Sequence, residues 1–126
     1  MIFAGEICLI TENVPRLVEF YEKVLQTSSE GNEIHATLGI KGGTLAVYSK
    51  TAASNDMGIN FDKFHGTGMF TFGFTVDNVD YEYERLKNLN IDINFVIVPS
   101  THPWGARTMH FRDVDGNIVF MRQKIF

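Results

Sequence analysis

The stretch His102-Pro103-Trp104-Gly105-Ala106-Arg107-Thr108-Met109-His110-Phe111-Arg112-Asp113-Val114-Asp115-Gly116-Asn117, continued by Ile118 to Gln123, decides how this chain folds. Thr108 to Arg112 and Ile118 to Arg122 are short β-favouring runs. Between them the Asp-Gly pair supplies residues that tolerate positive φ, as a tight turn requires, so the stretch reads as a hairpin. Pro103 and Gly105 mark a bend that carries Trp104 into the first strand. A calcium loop of the EF-hand kind would need further acidic ligands and a closing Glu. Here Asn117 runs straight into an apolar strand.

Outward from the hairpin, Ile93 to Val98 reads as a strand that Pro99 stops. Before it, Asp77-Asn78-Val79 opens a helix whose apolar stripe is Val79, Tyr83, Leu86 and Leu89. Met69 to Val76 is a strand with Phe70, Phe72, Phe74 and Val76 on one face. The first half of the chain has the same grammar. Residues 2–11 form an apolar strand, and Glu12-Asn13-Val14-Pro15 starts a helix with Val14, Leu17, Val18, Tyr21, Val24 and Leu25 on its apolar face. A short edge strand is expected within Thr27 to Gly31, then strands over Glu33 to Ile40 and Thr44 to Ser49, with the Gly42-Gly43 turn between them. Thr51 to Gly68 differs: it is small and polar, and reads as a linker with one helical turn near Asn60 to Phe64, serving as a flap or a crossover.

Glu12-Asn13-Val14 is echoed by Asp77-Asn78-Val79, and Gly43-Thr44-Leu45 by Gly116-Asn117-Ile118. The echoes come in the same order at similar spacing, which predicts two copies of one βαβββ unit. The expected fold class is therefore α+β: two βαβββ modules whose curved mixed sheets surround a cleft. The expected division is a single domain, 1–126, with module one at 1–50, a linker at 51–68 and module two at 69–126. A chain of 126 residues with 44% apolar content can bury a real core. Eleven Phe point to an aromatic core or a groove lined with rings.

The net charge of −4 argues against a general nucleic-acid binder, which needs a basic face. It suits a cationic small ligand, and equally it suits plain solubility. One cysteine, Cys8, allows no internal disulfide, and it reads as a small buried hydrophobe rather than a nucleophile. No apolar run spans a bilayer and no signal peptide opens the sequence, so no membrane partner and a cytoplasmic location are expected.

The Trp-Gly-x-Arg motif, the following strand and Asp-x-Asp-Gly-Asn, together with the repeat, resemble the glyoxalase/bleomycin-resistance/dioxygenase superfamily, the vicinal oxygen chelate fold. The resemblance covers nearly the whole chain. In metal-using relatives it implies four ligands on the first and last strands of each unit, which map here onto Glu6, Val47, Thr71 and Phe120. Val47 and Phe120 cannot ligate, and Thr is a poor donor for a divalent ion. The resemblance therefore leans to the metal-free branch, in which a homodimer with no cofactor sequesters an aromatic or cationic, antibiotic-like molecule. A metal-dependent lyase, isomerase or dioxygenase of the same fold is the alternative.

Strand parity places Glu6, Cys8, Ile10, His35, Thr37, Thr71, Gly73, Thr75, Thr108 and His110 toward the cleft. The expected ligand-binding set is Glu6, His35, Val47, Phe61, Thr71, Trp104, Arg107, His110 and Phe120, with Phe64 extending the wall. Trp104 offers a stacking face for a ligand or seals a dimer interface. Glu6 meets a cationic ligand or acts as a base, or it pairs with Arg122 or Arg107. His65 and His102 are read as loop residues, and the four histidines show no metal-ligand spacing.

Overall fold

The computed structural model describes residues 1–64 and 70–125. It divides into two compact units, Met1–Thr67 and Gly68–Phe126, each built on one open, four-stranded mixed sheet.

In the first unit β1 (Ile7–Thr11), α1 (Val14–Leu25), β2 (Ser29–Gly31), β3 (His35–Ile40) and β4 (Gly43–Ser49) follow in sequence. The sheet order is β1-β4-β3-β2, with β1 and β4 parallel and the other pairs antiparallel. Asn13 starts α1 by accepting a hydrogen bond from the Arg16 N–H at 3.2 Å, and Pro15 falls in the first turn, where no N–H is missed. Leu17, Tyr21 and Val24 are wholly buried, and α1 packs on β3 and β4. The sheet meets it with Leu9, Ala36, Leu38, Leu45 and Val47, which are all buried and share one face by register. Each large aliphatic side chain sealed in this way contributes roughly 1.5–3 kcal/mol.

Two expectations fail in this unit. The first strand begins at Ile7, not at residue 2, and residues 1–6 are exposed and outside any strand. Ile7 pairs with Leu45, and two residues earlier β4 reaches its own start at Gly43, so the partner strand runs out. The expected linker holds a helix, α2 (Lys50–Met57). Ser49 caps it by accepting from the Ala52 N–H, and Gly58 ends it at a φ of 70°. Only Ala53 of α2 is buried, so there is no apolar stripe to read. The Ser and Gly at its ends were the available signals. A 3-10 turn follows at Phe61–Phe64. The expected positions of His65, Gly68 and Met69 lie outside the described residues.

The second unit repeats the plan: β5 (Phe72–Thr75), α3 (Val79–Lys87), β6 (Asn94–His102), β7 (Ala106–Arg112) and β8 (Ile118–Lys124), in sheet order β5-β8-β7-β6. Asn78 caps α3 as Asn13 caps α1, accepting from the Tyr81 N–H at 3.0 Å. Phe70 stands outside β5 and is 70% exposed. β6 does not stop at Pro99; it runs on to His102. It is an edge strand, and its register slips between Ile97 and Ser100, so the missing proline N–H costs no ladder bond. No described helix is long and apolar enough to cross a membrane.

The hairpin turn satisfies itself. Asp113 Oδ1 accepts from the N–H groups of Asp115 and Asn117 at 2.9 and 3.0 Å, and Asp113 Oδ2 accepts from Asn117 Nδ2 at 2.8 Å. Gly116 takes the left-handed position at a φ of 89°.

Candidate functional site

One face of the second sheet lies under α3 and carries Phe72, Met109, Phe111, Val119 and Met121, all buried. Period-two alternation puts Gly73, Thr108, His110, Phe120 and Arg122 on the other face. There the His110 and Phe120 rings meet at 5.8 Å between centroids. Phe120 lies over Gly73, which has no side chain to push it away. Thr108 Oγ1 and His102 Nε2 are hydrogen-bonded at 2.8 Å, which ties the end of β6 to β7. The His102 ring stacks on Trp104 at 4.8 Å with 2° between the planes. Trp104 is nevertheless 63% exposed, so much of the indole remains open.

His110 Nδ1 is shut off from solvent and has no hydrogen-bond partner among the described residues. Such an atom carries a desolvation penalty. Burial, and then the charge of His102, hold the His110 pKa below the ordinary histidine value, so the ring favours its neutral form.

Of the expected set, His110 and Phe120 are in contact, and Trp104 stacks on His102, which is bonded to Thr108 on the same face. Arg107 is placed differently: it turns to the α3 side and makes a two-pronged pair with Asp80 at 2.8 and 2.9 Å. This corrects its place in the expected ligand-binding set: Arg107 shares the parity of Met109 and Phe111, and Asp80 on α3 supplies its partner. Thr71 is exposed ahead of β5. The remaining expected residues belong to the first unit. Glu6 is exposed before β1, and Phe61 is half-buried in the 3-10 turn. His35 meets Tyr48 edge-to-face at 4.9 Å. Val47 is wholly buried on the α1 side, not on the open face. Cys8 is exposed rather than buried, and local burial followed by the charge of Glu6 raises its thiol pKa, which disfavours a reactive thiolate. His102, read as a loop residue, is the last residue of a strand. Carrying β6 past Pro99 as a bulged edge would have found it.

The four positions mapped for a metal do not fit one. Val47 is sealed beneath α1 and has no donor atom, and Phe120 presents a hydrocarbon ring against Gly73. Among the described residues no three His, Cys, Asp or Glu side chains are grouped to hold an ion.

A pocket of about 720 Å³ also opens in the first unit, lined by Glu12, Lys50, Ser54, Asn60 and Asp62 among others. Its cation, Lys50, is already paired with Asp62 and, at 3.5 Å, with Glu12. The pocket is therefore polar, and among the described residues its one cation is already engaged by its two carboxylates.

The family model described as Glyoxalase/Bleomycin resistance protein/Dioxygenase superfamily matches residues 4–120. Among solved structures, a glyoxalase/bleomycin resistance protein/dioxygenase from Nocardioides is similar with a TM-score of 0.80 at 22% identity, covering 99% of this chain and 85% of that one. A family enzyme from Burkholderia phytofirmans PsJN is similar with a TM-score of 0.79 at 14% identity, covering 97% and 98%. TioX from Micromonospora sp. ML1 is similar with a TM-score of 0.73 at 19% identity, again covering 97% and 98%. No curated protein matches the chain.

Proposed function

Since the chain belongs to the glyoxalase/bleomycin resistance protein/dioxygenase superfamily, we propose that it binds a planar, antibiotic-like aromatic molecule, without a metal, on the open face of the second sheet. The observation that carries this reading is the pair of rings His110 and Phe120, whose centroids lie 5.8 Å apart on that face. Trp104 and His102 supply a flat surface joined to it through Thr108. Aromatic ligands gain from such rings through offset or edge contacts worth about 0.5–1.5 kcal/mol each beyond the area buried. The protein acts as a cytoplasmic homodimer in this reading. Val96, Ile97 and Val98, three successive exposed apolar residues on edge strand β6, support self-association.

Trp104 is the single tryptophan, so intrinsic fluorescence reports on this face alone. Planar aromatic compounds titrated against it are expected to give saturable changes, and calorimetry with the same compounds is expected to show weaker binding to Trp104→Ala. If none does, and Trp104→Ala alters only the stability of the dimer, the binding reading is lost. Elemental analysis of protein purified without chelators tests the metal-free part. Stoichiometric Ni, Zn, Fe or Mn would overturn it in favour of a lyase, isomerase or dioxygenase.

A further inference from the structure

The charge on the open face of the second sheet differs from the charge of the chain as a whole. The net charge is −4, yet β5, β6, β7 and β8 contain no Asp or Glu at all. The acids of this unit stand on α3 and in the turns, and Asp113 spends its carboxylate inside the hairpin. The strands hold Arg107, Arg112, Arg122, Lys124 and two histidines.

The arginines of the unit are not equivalent. Arg85 is paired with Glu82 at 2.7 Å, Arg107 with Asp80, and Arg112 donates to the Gly116 carbonyl at 2.8 Å. Arg122 is half-buried, and its guanidinium has no hydrogen-bond or ion-pair partner among the described residues. It lies two residues beyond Phe120 on the same face and opposite Thr108 in the β7–β8 ladder. Two residues along a strand span about 6.5–7 Å, a distance that a bicyclic acid bridges. A guanidinium that no carboxylate occupies is available to a ligand, and its fork suits a carboxylate.

We propose that the ligand is an aromatic acid, its carboxylate held by Arg122 and its ring lying on Phe120 beside the stacked His102 and Trp104. This rests on the binding reading above and gives it a charge: the ligand is an anion, although the chain is itself acidic. No carboxylate on these strands would meet a cation, and Arg122 would repel one.

The test compares three probes of nearly equal shape by calorimetry on the intact protein: 2-naphthoate, neutral 2-naphthamide and the cation 2-naphthylmethylammonium. The acid is expected to bind about tenfold more tightly than the amide, as one charge-assisted contact supplies. The cation is expected to bind no better than the amide, and the acid's advantage is expected to shrink with added salt. Arg122→Gln is expected to erase the advantage while amide affinity stays, which also shows that the variant is folded; Arg122→Lys keeps part of it. Equal or tighter binding of the cation by the wild-type protein, or an acid preference that survives in Arg122→Gln, overturns the proposal. If the amide binds and the acid has no advantage, this inference falls and the aromatic site stands. If none of the three binds at millimolar concentration, both fall.

Discussion

Gly73 and Phe120 are partners in the parallel β5–β8 ladder, and the Phe120 ring fills the space that a side chain at position 73 would occupy. A Cβ on residue 73 would stand 2.2 Å from the Phe120 carbonyl oxygen and 2.4 Å from its Cδ2. The ring could swing away, but the oxygen belongs to the ladder. Gly73→Ala is therefore expected to destabilise the protein by about 1–3 kcal/mol, as overpacking does. Urea unfolding measures that loss, and ligand titration is expected to show weaker binding because the ring is displaced.

Asp113 holds the hairpin from inside. Its carboxylate accepts three hydrogen bonds from Asp115 and Asn117. Asp113→Ala leaves their donors unpaired and is expected to cost about 2–4 kcal/mol. Asp113→Asn keeps one oxygen and is expected to lose less. Adding calcium is expected to leave the melting temperature of the wild-type protein unchanged, because the turn has already used its carboxylate. A calcium-dependent rise in that temperature contradicts this account.

The depressed pKa of His110 predicts a loss of stability in acid. Above the ordinary histidine value of 6.5 the ring is neutral in both folded and unfolded chains and stability is unaffected. As pH falls through that value the unfolded chain takes up the proton first, so stability declines until the folded-state pKa is passed. Unfolding free energy measured across mildly acidic pH is expected to fall, and His110→Gln is expected to flatten part of the slope. His102 and Arg122, on the same face, are kept intact so that the difference belongs to His110.

Arg107 and Arg122 provide an internal comparison. The hydrogen bond from Arg107 holds the Asp80 carboxyl below its usual range, so this pair's contribution is present above the ordinary Asp value and is lost in strong acid. The pair is on the α3 side, away from the aromatic face. Arg107→Gln is expected to leave affinity for an aromatic acid unchanged while Arg122→Gln lowers it. Equal losses in both variants would mean that Arg107 reaches the ligand.

Much of the architecture was legible because it is local and repeated. Asn13 and Asn78 cap the two helices in equivalent places, and the apolar positions that follow recur at helical spacing. Misreadings came where local signals are weak or are overruled. α2 buries only Ala53, so no periodicity announces it. Pro99 normally ends a strand, but the edge position and the bulge of β6 leave it harmless. At the candidate site, strand parity placed His110 and Phe120 on one face, where their rings meet, whereas His102 was hidden by the misplaced strand end.

By itself, the sequence determined the two βαβββ units, their caps and the hairpin turn, because hydrophobic period, Asn caps and Asp-Gly chemistry act over a few residues. Tertiary structure alone decided which arginine is spent on Asp80 and, among the described residues, which is left without a partner and which histidine nitrogen is sealed off unpaired. Those outcomes depend on side chains that meet across strands and from helix to sheet. Their energies come from desolvation and pairing in three dimensions, which no spacing along the chain encodes.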